Sequence, residues 1–345
     1  MPDSTPTPAS PSNPPAFSVG RLIGSVVLSV FVLAGIAWWT YEPGMLEVFK
    51  TSLNGGILAL AFAALGLRLL LSAGRIAYVS HGTIGMRHAL RGQLLWEFAS
   101  SVTPSVIGGG PVAAFFIARD AKLSIGDVTA IMLFAMLLDQ FWFAIAIIGL
   151  FTASFFIDVY PDGMGTLGAG AFVLYFTVIL VWAAVFGYAT LLRPDLVQRL
   201  AEWVFGLRPL RRFKERAQRG MAAWEERAKI IRSQPLGFFA TAVSMASGVW
   251  IIRYAELLLV ALAVYPTLDA LTFYVRSAAM MLGALILPTP GGAGGIEGLY
   301  ALFLGPLMPA ALLVPTLILW RLLTYYLIIA AGSVLSALVM SRQRG

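Results

Sequence analysis

Asp139, Arg253, Glu256, Arg276, Glu297 and Arg321 each fall within or at the edge of a long apolar run. A charge at the centre of a bilayer costs about 2.5–3.5 kcal/mol even on lenient scales, so charges that persist there pair with one another, face a wet cavity or bind something polar. Asp139 and Arg321 lie near the middle of the apolar segments 128–151 and 310–331 and have opposite sign. They either neutralise one another across an internal axis or contact a lipid headgroup, Arg321 a phosphate and Asp139 an amine. Arg253 and Glu256 are three apart and share a helix face, as a self-paired couple or as a gate. Glu297 opens a short helical piece, where a carboxylate satisfies the helix dipole. Turned to a cavity instead, it favours a cationic or zwitterionic headgroup or a coupling proton, with Arg276 to balance it or to bind phosphate. Glu97 reads as an interfacial charge or as a ligand.

Two Gly/Pro breaks interrupt apolar pieces. The first holds Thr103, Pro104, Gly108, Gly109, Gly110 and Pro111; the second holds Pro288, Pro290, Gly291, Gly292, Gly294 and Gly295. A break frees backbone N–H groups at the start of the following helix, and those groups with the helix dipole attract anions. The glycines let a headgroup approach the backbone, and Pro111 suits a first helical turn. The same small residues also let helices pack closely, so headgroup binding and tight packing both remain open.

Composition narrows the chemistry. The chain has 345 residues, 59% of them hydrophobic and only 12% charged, against about 25% charged in soluble domains. That leaves too little polar surface for a soluble enzyme, a nucleic-acid-binding protein or a disordered scaffold, and points to a helical membrane protein. There is no cysteine, and the histidines are His81 and His88 alone, which excludes thiolate chemistry and leaves little for a metal site; neither metal nor cofactor is expected. No Gly-x-x-x-x-Gly-Lys-Ser/Thr pattern occurs, so ATP drive by this chain is unsupported.

The elements that position these residues follow from the apolar runs. Segment 1–20 is rich in Pro and Ser, lacks the charged start of a signal peptide and reads as a disordered tail. A first span and outer loop fill 21–54. Segment 55–151 holds a span in which Arg68 and Arg75 snorkel near the inner interface, a hairpin at 94–118 whose halves are too short to cross, and a full span. A fourth span and a basic stretch fill 152–235, with eleven Lys and Arg against five acids between 191 and 235, so that +6 of the net +7 sits there. Such a loop marks the cytoplasmic side and favours anionic headgroups. Segment 236–333 repeats the order span, hairpin (270–304), span. A cytoplasmic tail, 334–345, carries Arg342 and Arg344. The expected fold is an all-α polytopic membrane protein with about six transmembrane helices plus two re-entrant helical hairpins in two inverted repeats, both termini in the cytoplasm of an inner membrane. Broken helices at matching places of two inverted halves point to a transporter site.

The stretch TPSVIGGGPVAAFFIARDAKLS, followed by a span containing Asp139-Gln140, and the stretch LPTPGGAGGIEGLYALFLG, followed by WRLLTYY, resemble the paired signatures of the flippase-like family that includes the membrane domain of lysylphosphatidylglycerol synthase. The resemblance runs from about Gly55 to the C-terminus and implies inverted repeats with re-entrant helices and movement of a lipid between leaflets. No aminoacyl-transferase domain follows Gly345, so lipid aminoacylation is not expected of this chain. The expectation is a lipid flippase moving a phospholipid or a related anionic or aminoacylated lipid by alternating access, with membrane lipids as partners, anionic headgroups at the basic loop, and a separate lipid-synthesising enzyme as a candidate partner. The rival is an intramembrane lipid-modifying enzyme such as a polyprenyl-phosphate phosphatase. Ser105, Thr103 and Thr289 are its nucleophile candidates, and it has no histidine in either break.

Overall fold

A computed structural model describes residues 19–39, 43–103, 109–161, 164–189, 229–287, 289 and 291–341, with 193, 199, 203 and 226 as isolated positions. Most of the basic stretch 191–235, Pro104, Gly108, Pro288 and Pro290, the first eighteen residues, and Arg342 and Arg344 lie outside the described residues.

All regular structure among the described residues is helical. The helices are α1 (Val19–Trp39), α2 (Met45–Ser52), α3 (Gly55–Val79), α4 (Met86–Val102), α5 (Gly109–Asp120), α6 (Ile125–Ala153), α7 (Gly165–Gly187), α8 (Leu236–Val264), α9 (Ala270–Gly283), α10 (Gly295–Leu304), α11 (Ala310–Arg321) and α12 (Leu327–Ser341). A π turn, Leu322–Tyr326, joins α11 to α12. Among the described residues five helices are long and apolar enough to cross a membrane: Gly55–Val79, Ile125–Ala153, Gly170–Gly187, Leu236–Val264 and Ala310–Leu338. The chain is thus a multi-pass membrane protein. The expected count of six spans includes α1, an apolar helix of 21 residues, which is not among these five.

Two short pairs sit between the long helices. α4 packs against α5, and α9 against α10. α4 begins at Met86 rather than at Leu94, because its polar first turns are tied down: Arg91 Nη1 meets Asp120 Oδ2 at the end of α5, 3.2 Å away. Asp269 caps α9 by accepting from Thr272 N. Arg276 in α9 donates from Nη1 to Phe303 O in α10 at 3.3 Å and from Nε to Asp158 O at 2.6 Å. The two pairs therefore have their feet at opposite ends of α6: Asp120 just precedes that helix and Asp158 just follows it.

α3 and α8 form the most extensive helix contact and are joined at one end, where Asn54 N donates to Ala263 O at 2.7 Å while the Asn54 side chain caps α3. α4 packs on α12, and α9 on α6. The apolar core forms two large clusters with a polar layer between them. Along α3, Ala61 and Leu65 belong to one cluster and Ala73, Ile76 and Val79 to the other, with Arg68 and Ser72 between. Along α8, Ala242 and Ala246 precede Trp250 and Arg253, and Leu257 and Val260 follow. Along α6, Leu138 and Phe143 bracket Asp139.

Candidate functional site

The polar layer encloses a cavity of about 260 Å³. Four arginines (Arg68, Arg75, Arg253 and Arg321) and three carboxylates (Glu97, Asp139 and Glu256) line it, with Trp96, Trp250 and Trp320 among the walls. α3, α4, α6, α8 and α11 each supply at least one charge, and Thr289, Gly291 and Gly292 bring the second break to its edge.

Glu97 holds one half together. Its Oε1 accepts from Arg68 Nη1 at 2.6 Å, from Arg253 Nη2 at 2.6 Å and from Gln93 Nε2 at 3.3 Å. Arg68 turns its Nε to Glu256 Oε1 at 2.7 Å. A carboxylate that accepts from two guanidinium groups makes the short, charge-assisted bonds that offset desolvation in an apolar interior. On the neighbouring face Arg75 donates from Nη1 and Nη2 to the two oxygens of Asp139 at 2.5 and 3.3 Å, and Trp250 Nε1 adds a bond of 2.9 Å to Asp139 Oδ1. Arg253 lies over the Trp250 ring, 5.0 Å from its centroid. Its side chain retains 31% of its exposure, the most of any group in these ion pairs apart from those at the α4–α5 feet.

Arg321 stands apart from Asp139. Its Nη2 is 2.8 Å from Glu297 Oε1, its Nη1 donates to Gly291 O at 3.4 Å, and its guanidinium lies 4.1 Å from the Tyr325 ring centroid. Tyr325 belongs to the π turn, and such turns concentrate at functional positions. Glu297 Oε2 accepts from Gly294 N at 2.8 Å, so α10 is capped by its own carboxylate.

Several pairings expected from sequence are therefore corrected. Asp139 and Arg321 do not neutralise one another; each has a partner nearer in space. Arg253 and Glu256 are not a self-paired couple, because Glu97 and Arg68 take them separately. Glu97 is not interfacial. Arg68 and Arg75 do not snorkel: at 1% and 4% exposure they are buried in the layer. The apolar run alone ends near Ser72, whereas α3 continues to Val79. That places Arg68 at mid-helix, and the seven-residue spacing to Arg75 puts both on one face. Arg276 does not reach the cavity and spends its donors on carbonyls. Glu297 supports Arg321 from behind, and its cap occupies the helix N-terminus that an anion would otherwise take.

The glycines divide by role. A Cβ on Gly109 would stand 2.6 Å from Trp96 O, so this glycine permits the close α4–α5 approach. Gly110 is buried beside it; Pro111 lies in the first turn of α5. Thr103 turns its hydroxyl to Ala99 O at 2.6 Å and does not line the cavity. Gly295 packs against Leu287. Gly291 has φ +58, and a Cβ there would strike the Tyr325 ring and come within 3.1 Å of Ser101 O. It is the point at which the second break meets the end of α4. Gly291→Ala is expected to cost at least about 2 kcal/mol, from left-handed strain and overpacking together, read as a lowered Tm in detergent; an unchanged Tm would show that the contact yields freely.

The family model for the lysylphosphatidylglycerol synthase TM region matches residues 26–332, most of the chain. The chain belongs to that family. No curated protein matches it. Members of the lysylphosphatidylglycerol synthase TM-region family are membrane proteins tied by that description to a lipid, and both glycine-rich breaks and every charge lining the cavity fall inside the matched range.

Proposed function

We propose that the protein moves a lipid between the leaflets of a cytoplasmic (inner) membrane, the headgroup passing through the cavity while the acyl chains stay in the bilayer. The observation that carries this reading is the cavity itself. Its lining residues carry Arg253 Nε, Arg321 Nε, Ser100 Oγ, Thr289 Oγ1, Gln93 Oε1 and Glu256 Oε2, all buried and without a hydrogen-bond partner among the described residues. Buried polar groups are almost always satisfied, so a cluster of exceptions asks for a ligand or water. With Arg75 Nε and Trp320 Nε1, also unpartnered on lining residues among the described residues, four of these groups can only donate and two can only accept, which suits a phosphate. Ligand pockets run from about 300 Å³ upward; about 260 Å³ suits a headgroup and cannot hold a lipid's chains.

The reading includes two inverted repeats, α3 to α6 and α8 to α12, each with a re-entrant hairpin. Three correspondences support it: α3 against α8, α4 on α12 matched by α9 on α6, and hairpin feet at opposite ends of α6. Irregular backbone at membrane depth is tolerated where it lines a cavity. The apolar clusters on either side of the layer serve as the two seals that alternating access opens in turn. With the basic loop inside, both termini are cytoplasmic.

Reconstitution into vesicles with headgroup-labelled lipids tests the reading. Wild-type protein should carry an anionic label between leaflets. Arg253→Gln, which alters the most exposed guanidinium of the layer, should slow transfer roughly tenfold or more, the worth of a charge-assisted bond, and should lower the Tm less than loss of a fully buried partner would, since the Arg253 side chain keeps 31% of its exposure. Transfer no faster than in protein-free vesicles for anionic, aminoacylated and polyprenyl lipids alike, together with release of phosphate, would sink it in favour of an intramembrane phosphatase.

A further inference from the structure

We propose that Glu256 is a proton site linked to anion binding, so that an anionic headgroup enters the cavity together with a proton. The inference rests on the lipid-transport reading and adds an energy source to it. Glu256 is fully buried. Glu256 is one of the residues lining the cavity; its Oε1 accepts from Arg68, and its Oε2 is buried without a partner among the described residues. Arg68 and Arg253 balance Glu97 and Glu256. Arg253 is the most exposed member of this group and donates a single bond, from Nη2 to Glu97, while its Nε has no hydrogen-bond partner among the described residues. It is therefore the guanidinium freest to turn to a phosphate.

Once Arg253 turns away, Arg68 alone faces two carboxylates. Like charges that share one site in an apolar interior cannot both remain ionised, and one takes a proton. Glu97 keeps its bonds to Arg68 and Gln93, whereas Glu256 has a bare oxygen, so the proton goes to Glu256 Oε2. No other group displaces this assignment. α6 presents Asp139, held by Arg75; its other acid, Asp127, is exposed at the N-cap end near Ser124. α9 presents Tyr274, whose hydroxyl donates to Ile251 O, and Arg276, bound to carbonyls. α11 presents Arg321, paired with Glu297; α2 offers Glu47 and Lys50, both exposed. On α8 itself Tyr254 receives Trp142 Nε1 at its hydroxyl. By linkage, if anion binding favours the proton, the proton favours the anion equally, so transfer rises as pH falls.

The test uses wild-type protein and Glu256→Gln in vesicles containing headgroup-labelled phosphatidylethanolamine, whose amide-linked label leaves one phosphate anion, with a pH-sensitive dye in the lumen. Wild type is expected to move about one proton per lipid and to speed up by as much as tenfold per pH unit on acidification. Glu256→Gln, a permanent stand-in for the protonated acid, should still transfer lipid but lose both the proton signal and the pH slope. Lipid transfer by wild type with no proton movement would overturn the proton site and leave the transport reading standing, and this measurement holds even if the variant fails to fold. An equal pH slope in a folded Glu256→Gln would overturn it as well. Absence of lipid transfer by wild type at every pH would overturn both.

Discussion

Replacing Glu97 by alanine is expected to destabilise the protein by about 3–5 kcal/mol, the cost of leaving buried charge uncompensated when one partner of an ion pair is removed. Glu97 Oε1 is the shared acceptor for Arg68 and Arg253, both within 2.6 Å, and Arg68 is almost wholly buried. Without Glu97, two guanidinium groups share the single carboxylate of Glu256. The measurement is thermal unfolding in detergent, where the Tm should fall by on the order of 5–10 °C. Glu97→Gln, which keeps an acceptor in place and removes only the charge, should fall between wild type and alanine. If Glu97→Ala is as stable as wild type, the layer is wet enough to screen its charges and the energetics drawn from burial are wrong.

The second large effect concerns Arg321. Glu297 is fully buried and Arg321 nearly so, so either single replacement, Arg321→Met or Glu297→Gln, should cost about 3–5 kcal/mol. The double variant should cost much less than their sum, because an apolar side chain of similar volume beside a neutral amide leaves no orphaned charge. The amide introduced by Glu297→Gln would retain an oxygen for Gly294 N and so preserve the α10 cap. Arg321→Met combined with Asp139→Asn should instead be additive, since the two share no partner. A double-mutant cycle with strong coupling between residues 321 and 139, and none between 321 and 297, would show that the ion pairs are partitioned differently.

Membrane class, the two broken segments and the family were legible in the amino-acid sequence, because each depends on local signals: long apolar runs, Gly/Pro clusters and two motifs. The residues of the polar layer were legible as a set and illegible as pairs. Asp139 and Arg321 look matched in sequence because each falls near the middle of an apolar run and they have opposite sign. Their true partners, Arg75 and Glu297, come from α3 and α10, and nothing in local spacing says which helix will neighbour which. Glu97 looks interfacial in sequence because the polar turns around Arg87 and Arg91 have the composition of an elbow outside the hairpin. In the folded chain those turns belong to α4, which carries Glu97 inward. Arg276 is the opposite case: its type and apolar surroundings suggest a ligand, yet it donates to one carbonyl in the last turn of α10 and one in the loop after α6, a role that only the meeting of α6, α9 and α10 creates. The basic stretch 191–235 lies mostly outside the described residues; the cytoplasmic side proposed for it follows from its excess of Lys and Arg.

The balance of the polar layer also has an electrical meaning. With Glu297 behind Arg321, four arginines meet four carboxylates, so the side chains of the layer carry no net formal charge. A membrane voltage does work of about 2.3 kcal/mol per elementary charge per 100 mV. Moving such a neutral layer as one unit therefore draws nothing from it. An anionic headgroup crossing alone would feel the whole field, whereas one accompanied by a proton on Glu256 would not. The return of the empty protein and the passage of the loaded one are then both electrically silent, and transport answers to concentration and pH rather than to voltage.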